Sequence, residues 1–196
     1  MKTTLFAFLF LLTLPAFSQS TYEDSINTYL KNYVQHHGVV KAADKPHLHF
    51  YDVNKAYRVL ADFEPAKTAS WISFKTSGTK NQFYRLYGTA TFHLHQKQYR
   101  LNLYQSQDLM TNPEYNDYLF LPFTDLTSGN ETYSCGRYLD FKIADVQNSK
   151  LVIDFNKAYN PYCAYISGVY NCPLPPKENA LAVAIKAGEK AFTKPH

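Results

Sequence analysis

Two pairs of histidines have a spacing that could bring both imidazoles of a pair to one metal ion. The pairs are His47/His49 and His93/His95, with one residue between the members of each. Residues two apart on a β-strand share a face, so each pair could offer two nitrogen ligands. The neighbouring residues are glutamine and lysine rather than carboxylates, which favours ordinary exposed histidines on the polar side of a strand. These four residues are the candidates for a metal site, and no cofactor is predicted.

Three aspartates stand at the ends of predicted buried strands, where a scaffold can hold an acid rigidly beside a cleft: Asp125, Asp140 and Asp154. Asp125 and Asp154 could form the acid/base pair of a hydrolase, aided by Arg137. Structural roles compete with this interpretation. Asp125 precedes a Thr-Ser-Gly turn and could accept hydrogen bonds from the backbone N–H groups of that turn. Arg137 could form an ion pair with Asp140. We favour the structural roles.

A group of amides and a tyrosine ring follows Asp154, formed by Asn156, Tyr159 and Asn160. Amide side chains both donate and accept hydrogen bonds, and beside aromatic rings they suit a carbohydrate or another small polar ligand. The same residues suit a tight loop that must satisfy its own backbone. They are the candidates for ligand binding.

The three cysteines are Cys135, Cys163 and Cys172. Cys163 and Cys172 are close in sequence with turn-forming residues between them, so we predict that they form a disulfide and that Cys135 remains unpaired. A buried free thiol is the simplest role for Cys135, because Arg137 is the only basic residue beside it. A nucleophilic Cys163 would need a free thiol and a nearby base, which the disulfide precludes.

The first 18 residues have the features of a signal peptide. Lys2 precedes an apolar segment, residues 5–14, that is too short to span a bilayer, and Ala16 and Ser18 are small residues suited to cleavage before Gln19. Cleavage before Thr21 and a retained membrane anchor are the alternatives. No other stretch could span a membrane. We therefore expect an exported protein, periplasmic or extracellular, in an oxidising compartment where cysteines pair.

Composition restricts the remaining function classes. Aromatic residues make up 16% of the 196 residues, which favours pleated, half-buried surfaces. The net charge of +4 is dispersed, without a basic run that could follow a phosphate backbone, so nucleic acid is not an expected partner. The chain also lacks phosphate-binding glycine loops, G-x-S-x-G, H-E-x-x-H and C-x-x-C.

The elements that would position these residues follow from hydrophobic periodicity. An amphipathic helix is predicted over residues 19–40, with one apolar face that includes Ile26, Tyr29 and Tyr33. From residue 41 to 196 the period changes to two, which predicts a single antiparallel, mostly β domain, either an open sheet or barrel-like. Strands are predicted around residues 46–51, 57–63, 71–75, 83–95, 99–104, 118–123, 132–141, 151–155 and 181–185.

Several segments together resemble a bacterial family catalogued as domain of unknown function 1684. The segments are DLTSGNETYSCGRYLDF from Asp125, DFNKAYNPYCAY from Asp154, CPLPPKEN from Cys172, IKAGEK from Ile185, and the earlier RVLADFEP and YGTATF. The resemblance covers about residues 55–190. It implies a secreted, β-rich domain and a paired role for Cys163 and Cys172, but no reaction, substrate or cofactor. The chain departs from the family in being short before Lys55 and in carrying Cys135 where a small residue is usual.

These observations predict an exported β-rich domain that binds a small polar ligand or a partner without catalysis. Two alternatives stay open. One is a hydrolase that uses Asp125 and Asp154. The other is a metal-binding module built on the two histidine pairs.

Overall fold

One curled antiparallel sheet, in the form of a half-barrel, dominates the computed structural model and confirms the mostly β prediction. The structure describes residues 17–194, with side chains from residue 21 onward. The predicted signal peptide lies outside the described residues, except for its last two positions. The elements are α1 (Phe17–Gln35), β1 (Arg58–Pro65), β2 (Trp71–Phe74), β3 (Gln82–Leu94), β4 (Lys97–Ser106), α2 (Gln107–Met110), β5 (Tyr118–Phe123), β6 (Arg137–Lys142) and β7 (Lys150–Asp154).

Six of the seven strands follow the order β6-β5-β4-β3-β1-β7, and the seventh, the short β2, pairs with β3 beside this path. Every pairing is antiparallel. β6 and β7 are the two ends of the path and do not pair with each other, yet residues of both line one hollow. The curled sheet therefore has an open seam between β6 and β7, the two strands at its edges.

The concave side of the sheet holds the main apolar core. Alternate residues of the strands enter it, as the period of two requires. These residues include Ala61, Phe63, Ala90, Phe92, Leu101, Leu103, Leu119, Leu121, Phe123, Leu139, Leu151 and Ile153. A second cluster on the opposite face is aromatic and contains Phe74, Tyr84, Tyr104, Phe120 and Tyr138.

A β-bulge in β3 changes which side chains face the core. The sequence pattern places Tyr84 and Ala90 on one continuous face, but the register with β4 shifts between Leu86 and Gly88. Tyr87 is the extra residue, so Tyr84 joins the aromatic cluster while Ala90 enters the main core. A Cβ at Gly88 would stand 2.2 Å from the Phe63 ring, which explains why this position lacks a side chain.

Two tight turns fix the hairpin registers. His95 and Gln96 both have positive φ and connect β3 to β4. Asn148 and Ser149 also have positive φ and form the turn between Gln147 and Lys150, the first residue of β7. Two-residue turns of this kind match the twist of the strands that they join. The first turn begins at His95, which is the last residue of the strand predicted over residues 83–95.

Three predicted strands differ from the structure. Residues 42–47 form a 3-10 helix, and only Phe50 makes an isolated bridge, with Glu189. The strand predicted from residue 132 begins at Arg137, because residues 133–136 form a turn in which the Gly136 N–H donates to the carbonyl of Tyr133. Residues 181–185 form an extended loop, not a strand. Their backbone bonds go singly to Thr124, Leu126 and the Asp125 carboxylate rather than to a ladder.

Helix α1 lies across the sheet body and presents one stripe of side chains to it. Tyr22, Ile26, Tyr29 and Tyr33 recur at helical spacing, and Ile26 is almost fully buried. In the described part of the chain, no helix is long and apolar enough to cross a membrane.

Candidate functional site

The stripe of α1 brings three tyrosines to three carboxylates of the sheet body. The Tyr22 hydroxyl donates to both oxygens of Asp154 at 3.0 Å. The Tyr33 hydroxyl lies 3.2 Å from Glu189 Oε2. The pKa of Tyr29 is raised by burial and by the nearby carboxylates of Asp140, Asp154 and Glu189.

Asp140 is the carboxylate that opens to solvent. It projects from β6 on the same face as Tyr138, opposite to Arg137 and Leu139. The Tyr159 hydroxyl donates to Asp140 Oδ1 and Oδ2 at 2.7 and 2.8 Å, and the Tyr118 hydroxyl donates to Oδ1. Tyr118 stands on β5, diagonally across the β5–β6 register from Asp140. Two neighbouring elements thus fix this carboxyl group.

A cleft of about 670 Å³ lies between α1 and the sheet, and we call it the Asp140 cleft. It adjoins a second hollow of about 720 Å³ along the open seam, and Tyr29, Asp140 and Tyr159 line both. Its wall is rich in aromatic side chains. The wall consists of Tyr29, Tyr33, His36, His37, Gly38, Gln82, Tyr138, Asp140, Tyr159, Pro161, Tyr162, Tyr170, Asn171, Cys172 and Pro173.

The disulfide loop forms one wall of the Asp140 cleft. Cys163 and Cys172 are bonded, with their Cα atoms 6.2 Å apart, and Tyr162 and Tyr170 flank the bond. The Tyr138 hydroxyl donates to the carbonyl of Pro173, which ties the loop to β6. Cys135 is partly buried and unpaired.

The ionisable groups of the cleft are shifted by burial. Solvent reaches Asp140 through the cleft, but protein atoms crowd it on most sides, and this burial raises its pKa. The hydrogen bonds from Tyr118 and Tyr159 oppose that rise. Burial, together with the charge of Asp140, also raises the pKa of Tyr159 far above its ordinary value, so this phenol keeps its proton.

Glu189 is a fully buried carboxyl group behind the cleft. It accepts hydrogen bonds from the Tyr165 hydroxyl at 2.7 Å and from the backbone N–H of Asn160 at 2.9 Å, besides Tyr33. Burial raises its pKa to about 7, against the effect of these bonds. It joins α1 to the C-terminal segment.

The sequence profile of the family of proteins of unknown function DUF1684 matches residues 45–190. The chain belongs to the DUF1684 family. A solution NMR structure of an uncharacterized protein from Haloarcula marismortui is similar to it, with a TM-score of 0.66 and 26% identity. The similarity covers 90% of this chain and 98% of that one. No curated protein matches the chain.

The DUF1684 match divides the Asp140 cleft into two parts. Asp140, Tyr118, Tyr159, Glu189 and the disulfide lie inside the matched range, whereas α1 precedes it. The sheet side of the cleft therefore belongs to the family domain, and Tyr29 and Tyr33 are supplied by the preceding helix.

Asp125 and Arg137, predicted as part of a catalytic set, form a buried ion pair at 2.9 Å. Asp125 also accepts from the backbone N–H and hydroxyl of Thr127. The guanidinium donates to the backbone carbonyls of Ile185, Ala187 and Glu189. The expectation that Arg137 pairs with Asp140 is wrong, because residues three apart on a strand point to opposite faces. Asp154 lines the second hollow, and Asp125 does not.

Two of the three predicted ligand-binding residues are enclosed in the protein. The side chain of Asn156 bonds the backbone of Asn54, besides Asp154 and Tyr22. Asn160 is fully buried, and its Nδ2 donates to the carbonyl of Lys190. Tyr159 alone lines the cleft.

The histidine pairs do not meet in a metal site. His47 and His49 both lie 3.2 Å from the hydroxyl of Thr193. His93 is on β3, but His95 is in the turn, where its φ of 48° removes it from the strand face. Among residues 17–194, no group of three or more histidine, cysteine, aspartate or glutamate side chains could hold a metal ion.

The residues that sequence reasoning missed include Tyr118, which donates to Asp140, and Tyr22 and Glu189, which form hydrogen bonds between α1 and the sheet body. Tyr118 shares a strand face with Phe120, and Asp140 shares one with Tyr138. Alternation thus indicated which strand face each residue occupies. It did not indicate that β5 and β6 pair in the register that brings Tyr118 close to Asp140. Nothing local to Glu189 indicated that it would be buried.

Proposed function

We propose that this protein is an exported domain that binds a small polar ligand in the Asp140 cleft, without catalysis. The volume of the cleft suits a small molecule, and its aromatic wall with a few polar groups is the usual composition of such sites. The predicted signal peptide and the disulfide support export.

The observation that carries the proposal is the state of Asp140. Its carboxyl group is exposed in the cleft, is held in place by two tyrosine hydroxyls, and takes part in none of the ion pairs of the described residues. A fixed carboxyl group with unoccupied lone pairs can orient a ligand, whereas Asp125 is occupied by Arg137 and Thr127. The geometry of Asp125 therefore gives the acid/base alternative no support.

Isothermal titration against a panel of sugars and small metabolites tests the proposal, with Tyr159→Phe as the cleft variant. We expect at least one saturable ligand, and an affinity about tenfold lower in Tyr159→Phe, because one hydrogen bond that holds Asp140 is lost. Tyr115→Phe is the matched control, since Tyr115 is an exposed tyrosine in the loop before β5. Absence of binding by every member of the panel, or an equal loss of affinity in both variants, would contradict the proposal.

A further inference from the structure

Three of the six tyrosine hydroxyls that line the Asp140 cleft already use their protons inside the protein. Tyr159 donates to Asp140, and Tyr138 donates to the carbonyl of Pro173. The hydroxyl of Tyr33 is engaged by Glu189 and Tyr165. These oxygens can still accept hydrogen bonds, but they have no proton left to give. At these three positions the wall therefore favours a ligand group that donates.

The charge of the cleft favours the same kind of group. Asp140, Asp154 and Glu189 lie near enough to Tyr29 to raise the pKa of its hydroxyl, and none of them takes part in an ion pair within the described residues. Tyrosine hydroxyls hold all three instead of lysine or arginine. In contrast, Asp44, Asp62, Asp117, Asp125 and Glu131 each have a cationic partner.

The aromatic wall can also bind a cation directly. An ammonium ion over a tyrosine ring is attracted by the negative face of the ring, and the attraction increases as the ion is desolvated. One such contact exists beside the cleft, where Lys157 Nζ lies 5.2 Å from the centre of the Tyr29 ring. Lys157, Arg58 and Lys150 line only the adjoining hollow, so among the described residues Asp140 is the only aspartate, glutamate, lysine or arginine that lines the Asp140 cleft.

We propose that the group bound at Asp140 is an alkylammonium group, with the carboxylate accepting its N–H bonds and the tyrosine rings covering its methylenes. This inference rests on the proposed function, because it names the ligand class of the same site. A free diamine and an amino sugar both present this group, and the test separates these two sources.

Titration calorimetry on the full chain tests the inference with matched pairs of probes. Cadaverine is compared with the pentanediol that carries hydroxyls at both ends, and glucosamine is compared with glucose. We expect each amine that fits to bind at least about tenfold more tightly than its neutral partner, a difference of about 1.4 kcal/mol, because only the amine forms a charged hydrogen bond with Asp140. Binding by cadaverine alone identifies a linear amine, and binding by glucosamine alone identifies an amino sugar.

The variant Asp140→Asn should remove this preference for amines, whereas Asp108→Asn, an exposed aspartate on α2, should keep it. The comparison of amine with neutral probe uses the unaltered protein, so it tests the inference even if Asp140→Asn does not fold. Neutral probes that bind as tightly as amines, or amines that bind equally well to Asp140→Asn, would overturn the inference and leave the proposed function standing. Failure of every probe and of the wider panel would overturn both.

Discussion

The carboxyl groups of Asp125, Glu189 and Asp140 differ in what surrounds them, and these surroundings determine what each group can do. Asp125 faces the guanidinium of Arg137 and is fully occupied. Glu189 is enclosed by tyrosine hydroxyls and a backbone N–H. Asp140 is held by tyrosines on one side and opens to the cleft on the other. Only the last arrangement leaves a fixed acceptor for a ligand.

The substitution Asp125→Ala should destabilise the fold by about 3–5 kcal/mol, because it leaves the fully buried Arg137 without a counter-charge. Denaturant unfolding monitored by circular dichroism measures this difference. Asp62→Ala removes an exposed ion pair with Lys150 and should cost less than about 1 kcal/mol. Equal losses in the two variants would show that the Arg137 pair has no special structural role.

Glu189 should make stability decrease as pH rises. Its pKa is raised from an ordinary 4.5 to about 7, so the folded chain holds this proton more tightly than the unfolded chain. The contribution is complete below pH 4.5 and is lost as pH rises to about 7, a total of about 3 kcal/mol.

Unfolding free energies of the unaltered chain and of Glu189→Gln, measured across this pH window, isolate the contribution of Glu189. The difference between the two chains should change with pH, because the amide does not titrate. Glu64→Gln, on the exposed side of β1, is the control and should follow the unaltered chain. A pH-independent difference for Glu189→Gln would contradict the assignment.

Elements were predictable from the sequence where one local pattern decided them. Alternation revealed β3 and β4, and a continuous apolar run revealed β5. The β3 bulge was not predictable, because one extra residue leaves the alternation of polar and apolar residues unchanged while it reverses the face. Residues 181–185 alternate like a strand, but their backbone partners are the isolated groups of residues 124–126.

The disulfide loop is the element whose contribution can be measured alone. Reduction of the Cys163–Cys172 bond should lower the free energy of unfolding by about 2–3 kcal/mol, the chain-entropy value for a loop of this length. Intact mass before and after reduction should differ by about two mass units, and Cys135→Ser should leave that difference in place. Three free thiols in protein recovered from an oxidising compartment would contradict the pairing.

At the scale of the whole molecule, the candidate site exists only because distant segments meet. Tyr33 and Glu189 are 156 residues apart, and Asp140 lies 22 residues from Tyr118 and 19 from Tyr159. The sequence could indicate Asp140 as a carboxyl group at the end of a strand and Tyr159 as a ligand residue. It could not indicate the curl of the sheet, the open seam or the helix laid across it, which place these residues around one cleft.

The most direct test of the account is a backbone-amide NMR titration of the full chain with the tightest ligand from the panel. We expect the largest shifts at Tyr138 and Asp140 on β6, at Tyr159 and Tyr162 beside the disulfide loop, and at Tyr33 on α1. These residues meet only in the Asp140 cleft. Shifts confined to the far side of the sheet, or no saturable shift with any ligand of the panel, would contradict the claim that this cleft is the binding site.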